Sequence, residues 1–169
     1  MNGYDWTRFT VRININRSIA DIYAMWNTPA AIESWFLRSC EIKKNGLLRN
    51  GTDPIAAGDE YSWRWHGYPD EVVEHGEILE ANGTDLFRFT FGQEDGKPMI
   101  CTVKIYPAEG ENLCEITQHN IPDNEKGKSF YHIGCMGGWS FYLANMKSIM
   151  EGGIDLRNRN EKLTKMINA

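Results

Sequence analysis

The 169-residue chain contains no run of about eighteen apolar residues, so no membrane-spanning helix is expected. Its first residues, Met1-Asn-Gly-Tyr-Asp-Trp-Thr-Arg8, contain no apolar stretch, so no secretory leader is expected either. Cysteine is sparse: Cys40, Cys101, Cys114 and Cys135 stand 61, 13 and 21 residues apart. None belongs to a C-x-x-C pair, which excludes a zinc ribbon or a thioredoxin-type motif. Four isolated thiols read as small hydrophobes in a reducing, cytoplasmic setting. Positive charge is short as well, with 18 Lys and Arg against 23 Asp and Glu and a formal charge of −5. Nucleic acid needs a basic surface, so it is not an expected partner. No G-x-S-x-G, H-E-x-x-H, phosphate-binding loop or G-x-G-x-x-G occurs. His66, His75, His119 and His132 have no ligand-like spacing, and neither a metal nor a cofactor is expected.

Aromatic residues are plentiful: seven Phe, seven Tyr and six Trp. A chain of this length buries roughly 70% of its unfolded surface, enough for one domain with a substantial core. Phe9, Val11, Ile13 and Ile15 alternate with polar residues, the period of a half-buried strand. Ser18 is placed to cap a helix carrying Ile19, Ile22, Tyr23 and Trp26. Asn27-Thr28-Pro29 ends that helix and opens a second, whose stripe is Ile32, Trp35 and Phe36. From 38 to 120 the period is mostly two, giving six more strands, one of them over 72–80. Asn82-Gly83 and the Gly96 region mark hairpin turns. Residues 45–59 read as a loop or flap with exposed Leu47, Leu48 and Ile55.

From about Lys128 to Glu151 the period is helical, with Met136, Trp139, Leu143, Met146 and Met150 on one stripe. Gly137 and Gly138 inside it imply a close backbone approach, because an interior glycine costs about 1 kcal/mol against alanine. The tail 154–169 is polar and long enough for one short helix. A sheet with one apolar face must bury it, and the last helix is the only long element available. The expected fold is α+β: a curved antiparallel seven-stranded sheet wrapped around a long C-terminal helix. Two short helices lie between strands one and two, and residues 1–169 form a single domain.

Those residues resemble the START-related helix-grip superfamily, and within it the branch named for the activator of the heat-shock-protein-90 ATPase. Val11-x-Ile13-x-Ile15 followed by Ile19–Trp26-Asn-Thr-Pro29-x-x-Ile32-x-x-Trp35-Phe36 is similar to that family's opening. Gly76-x-Ile78-x-Glu80, Ile116-Thr-Gln118 and Gly138-Trp139-x-x-x-Leu143-x-x-Met146-Lys147 resemble its later strands and terminal helix. The resemblance implies a deep cavity between sheet and helix that takes lipids, hormones, polyketides or other apolar ligands. Family members include enzymes, binding proteins and a co-chaperone, so a chaperone partner is implied by analogy alone.

Chemistry-bearing pairs are few. His75 and Glu77 share a strand face about 7 Å apart, as a solvated pair, an acid/base pair or half a metal site. His132 and Cys135 stand three apart on the last helix, as core residues or as an activated thiol. The aromatic set is more informative. Phase places Trp63, Trp65, Phe87, Phe89, Phe91, Met99, Cys101 and Gln118 on one side of the sheet. Cys135, Trp139 and Tyr142 approach from the helix, and Trp26 and Trp35 close one end. Rings and sulfur with a few polar tips describe an apolar ligand site. Gln118 is the polar exception, since a buried amide left without a partner costs about 1–3 kcal/mol. Glu77 is a second candidate whose phase Val72 and Val73 leave open. The expected function is binding of a small hydrophobic molecule, lipid-like or polycyclic, rather than catalysis. A cyclase- or dehydratase-like enzyme and a stress-response interaction module are the alternatives. A homodimer covering Leu47, Leu48 and Ile55 is a further expectation.

Overall fold

In the computed structural model, which describes residues 3–163 and 166–168, β1 (Arg8–Asn14) leads into α1 (Ile19–Ala24) and α2 (Pro29–Trp35). Both helices are capped as the sequence implies. The Ser18 hydroxyl oxygen accepts from the Asp21 N–H, and Thr28 does the same for Ala31 ahead of Pro29. Seven further strands follow: β2 (Ser39–Lys44), β3 (Leu47–Leu48), β4 (Glu60–Arg64), β5 (Glu74–Ala81), β6 (Leu86–Glu94), β7 (Lys97–Ala108) and β8 (Glu111–His119). They form one antiparallel sheet in the order β1-β8-β7-β6-β5-β4-β2-β3. The seven expected strands are present, and the two-residue β3 is an addition to them. It arises because Asn45-Gly46 takes left-handed backbone (φ 50° and 78°), the turn that folds β3 back on β2.

A π-helical segment, Gly127–Gly134, runs into α3 (Cys135–Met150). Trp139, Leu143 and Met146 are buried, while Met136 and Met150 at the stripe's ends are half-buried against the core. The twin glycines differ from expectation. A Cβ at Gly137 or Gly138 meets nothing within 4 Å, so no close approach accounts for them.

Two other expectations fail for reasons of local bonding. Ile55 is buried, because the 49–59 segment is tied down at both ends. The buried Asp59 carboxylate takes Arg49 at 2.7 Å and accepts the Ala56 N–H. The Ile55 N–H donates to the Asn27 carbonyl and the Ala30 N–H to Gly51. The segment is therefore fastened to the turn between α1 and α2, to α2 and to β5, and does not hang as a flap. The tail holds no helix among its described residues, and Thr164, Lys165 and Ala169 lie outside them. Side chains take up its backbone instead: Asn145 Oδ1 accepts from the Leu156 N–H, and Ser148 donates to the Ile154 carbonyl. The buried Arg157 donates to the carbonyls of Glu33, Ser34 and Leu37 at the end of α2.

Gly76 on β5 faces inward under Tyr61. A Cβ there would lie 2.5 Å from the Tyr61 ring and 2.6 Å from the Thr90 hydroxyl, whose carbonyl already accepts the Tyr61 O–H. Both neighbours are fixed by packing, so Gly76→Ala is expected to cost about 1–3 kcal/mol, read as a lower midpoint in urea unfolding. Gly137→Ala, with open space around it, is expected to stabilise by about 0.5–1 kcal/mol.

Candidate functional site at the Trp65 and Phe91 end of the grip

The inner face of the sheet carries every second residue of β4, β6, β7 and β8, and α3 lies across it. All thirteen residues expected around a ligand meet there. Trp26, Trp35, Trp63, Phe87, Phe89, Met99, Cys101, Gln118, Trp139 and Tyr142 are buried; Trp65, Phe91 and Cys135 are half-buried. Ring touches ring across the space. The Trp139 centroid stands 5.0 Å from Phe36, 5.2 Å from Phe91 and 6.0 Å from Phe89. Trp26 does not close an end. It lies centrally, 4.7 Å from Trp35, 5.9 Å from Phe87 and 6.5 Å from Trp139.

Gln118 finds its partners in these neighbours. Its Oε1 accepts from the Trp139 indole at 3.2 Å and faces the Cys101 thiol at 3.6 Å. Its Nε2 points at the Met99 sulfur at 3.8 Å, a weak acceptor. Cys135 also lies beside Gln118. All four cysteines are free thiols. Burial pushes the Cys114 thiol up to about 12 and Cys135 up to about 11, so neither is an activated nucleophile.

Of the expected polar pairs, His132 and Cys135 come apart, while His75 and Glu77 share a strand face as a solvated pair. His132 is turned away from Cys135: Nδ1 meets the Trp6 carbonyl at 3.0 Å and Nε2 the Tyr4 hydroxyl at 2.9 Å. It fastens the N-terminal segment. His75 and Glu77 lie on the outer face of β5, with the Ser62 hydroxyl 3.0 Å from His75 Nδ1. They border an open depression of about 460 Å³ beside Lys43 and Glu60, a solvated setting. No group of three or more His, Cys, Asp or Glu among the described residues is arranged to hold a metal.

The sequence reading missed Glu74. β5 starts there, and Val72 and Val73, which obscured its phase, lie outside the strand. Glu74 pairs with Trp63 and Gly76 with Tyr61, so Glu74, Gly76 and Ile78 share the inner face. Gly76 carried the signal, since a glycine opposite an inward tyrosine fixes the register. β6 bulges against β7 between Thr90 and Gln93, and Gly92 takes φ 72° there. A bulge leaves a backbone donor without a ladder partner, and Glu74 accepts that Gly92 N–H at 2.7 Å. Burial raises the Glu74 pKa, opposed by the Gly92 N–H and by His75. Its charge also reaches Tyr61, Cys101 and Cys135. One inward carboxyl therefore stands where the half-buried Trp65, Phe91, Cys135 and Met136 bring the ring-filled interior to solvent. The π-helical segment borders the same place: Tyr131 lies over Gly92 and donates to the Gln93 carbonyl. Local π-helical turns are often found at functional sites.

A curved antiparallel sheet closed over one C-terminal helix, with two short helices after the first strand, defines the helix-grip class. The family model described as "Activator of Hsp90 ATPase homolog 1-like protein" matches residues 16–151, and the chain belongs to that family. Solved structures share the fold at low identity. Protein SSP2350 of Staphylococcus saprophyticus is 15% identical with a TM-score of 0.64, over 89% of this chain and 96% of its own. The Aha1 dimer of Colwellia psychrerythraea is 13% identical with a TM-score of 0.65, over 86% and 97%. An Hsp90 activator from Plasmodium falciparum is 14% identical with a TM-score of 0.60, over 86% and 96%. No curated protein sequence gives a significant match. Membership of that family supports a ligand-binding or co-chaperone-like module. Among the described residues no helix is long and apolar enough to cross a membrane.

A raised carboxyl pKa means that the fold is favoured below the ordinary Glu range and loses that contribution as pH rises through the raised value. Glu74→Gln keeps an acceptor for Gly92 and removes the buried charge. It is expected to raise Tm by about 2–4 °C at pH 8, the size of a 1 kcal/mol gain in a chain of this length. The gain should shrink toward pH 4, checked by melting wild type and variant across that range.

Proposed function

We propose that the protein binds a small, mainly apolar molecule at the end of the grip formed by Trp65, Phe91, Cys135 and Met136. The observation that carries this reading is Glu74: a carboxyl turned into an aromatic interior at a point where rings are half-exposed. Ligand sites combine apolar walls with one or two placed polar groups, and here Glu74 and Gln118 are those groups. Deeper in, the rings already fill the space between sheet and helix. The ligand therefore seats against the half-buried rings at this end and displaces them. The same Glu74 is the titratable group that a cyclase- or dehydratase-like reaction on this surface requires.

The family description supports a second reading, a co-chaperone-type module. Under it the purified protein raises the ATP turnover of Hsp90, and an unchanged rate removes it. Self-association is read from two exposed leucines, Leu47 and Leu48 on the short β3. Sedimentation equilibrium is expected to give a dimer that Leu48→Glu dissociates.

Ligand binding is tested by intrinsic tryptophan fluorescence during titration with a sterol, a flavonoid-like ring compound and a fatty acid. Saturable 1:1 quenching by at least one is expected, weakened about tenfold by Trp65→Ala. Flat titrations with all three end the proposal.

A further inference from the structure

We propose that the ligand selected at this end of the grip is an organic cation with an apolar body, a protonated or quaternary amine carried on a chain or ring, and that Glu74 selects it. The inference rests on the ligand-binding reading above and adds the charge of the ligand.

Glu74 is set apart from Glu60 and Glu77. Glu60 and Glu77 sit opposite one another on the outer face, in water. Glu74 faces inward opposite Trp63, and none of the ion pairs among the described residues includes it. Its oxygen is held by the Gly92 N–H, so the carboxyl is aimed and does not sweep through solvent. Phe91 is the residue next to that N–H, and its ring stands 6.2 Å from Trp65, 6.4 Å from Trp63 and 5.2 Å from Trp139. An aimed carboxylate beside ring faces is the arrangement that recognises organic ammonium groups, the rings contributing through their quadrupoles.

Charge logic points the same way. Desolvation disfavours the ionised form of Glu74, and the groups around it offer little relief. Cys135 and Cys101 are thiols pushed up by burial, and Tyr61 is a phenol likewise pushed up. His75 on the same strand points outward and acts only at a distance. An incoming cation supplies the missing counter-charge. A neutral ligand leaves the carboxyl in its costly state, and an anion adds repulsion. A bare metal ion is not the occupant, because one carboxylate with protonated thiols makes no ligand set.

The test compares three probes of equal chain length, decyltrimethylammonium, decanol and decanoate, titrated below micelle formation and followed by tryptophan fluorescence and calorimetry. The cation is expected to bind at least tenfold tighter than decanol, with decanoate weakest. Glu74→Gln should bring the cation to within about twofold of decanol while leaving decanol unchanged. Glu77→Gln removes the same formal charge from the outer face and should preserve the preference. Decanol binding as tightly as the cation, or an equal loss of preference in Glu77→Gln, overturns the proposal and leaves the ligand-binding reading standing. Binding of none of the three overturns both.

Discussion

The contact of Trp139 with the sheet holds the two layers together. Its ring lies against Trp26, Phe36, Phe89 and Phe91, and its indole N–H ends on Gln118. Each such ring removes about 150–250 Å² from water, worth roughly 4–6 kcal/mol by area. The shapes are rigid, so the sheet must curve to bring β4, β6 and β8 within reach of one helix. The polar consequence follows directly. An indole N–H at that depth needs an acceptor, and Gln118 on β8 supplies it at the cost of an amide whose other end meets only sulfur.

Curvature has a second consequence at β6. The strand bulges after Thr90, and the freed Gly92 N–H must be satisfied in an apolar layer. Glu74 satisfies it with a charged group whose ionisation is disfavoured there. A glutamine would serve the bulge as well and would not carry that desolvation cost. A carboxylate in its place is thus a polar choice that stability alone does not explain. That gap separates Glu74 from the buried Asp59, which has Arg49 beside it.

The architecture was legible in the sequence because it is written in period and punctuation. Ser18, Thr28 and Pro29 mark the helices, alternation marks the strands, and the Trp139 stripe marks α3. The ring set was legible for the same reason, since side-chain phase survives any choice of turn. The Asn45-Gly46 turn is equally open to reading, but it opens a Gly- and Asn-punctuated stretch whose composition is that of a loop. Glu74 was hidden because phase is counted from a strand's start, and two β-branched residues ahead of β5 mimic one. The burial of Ile55 and the course of the tail depend on Asp59, Asn145 and Arg157, side chains acting on backbone far away in sequence. No local pattern carries such contacts. The glycines at 137 and 138 follow from nothing in the packing.

The two ends of the grip are fastened differently, and this decides where the filled interior opens at least cost. At the α2 end the fastenings are hydrogen bonds to buried charged or amide groups: Arg157 to three carbonyls, Asn145 to Trp35 and Leu156, Asp59 to Arg49 and Ala56. Breaking any of them strands a buried polar group, which costs more than the bond contributes. At the other end the π-helical segment carries a buried polar fastening, His132 to Tyr4 and Trp6, and the rest are ring contacts and the Tyr131 hydroxyl. Gly134 ends that segment and Gly137 and Gly138 follow, in a stretch where each glycine weakens the helix by about 1 kcal/mol. Ring contacts re-form against any apolar surface, so their loss is compensated wherever such a surface is offered. Opening is therefore least costly beside Trp65, Phe91 and Cys135, the end at which Glu74 holds the Gly92 N–H.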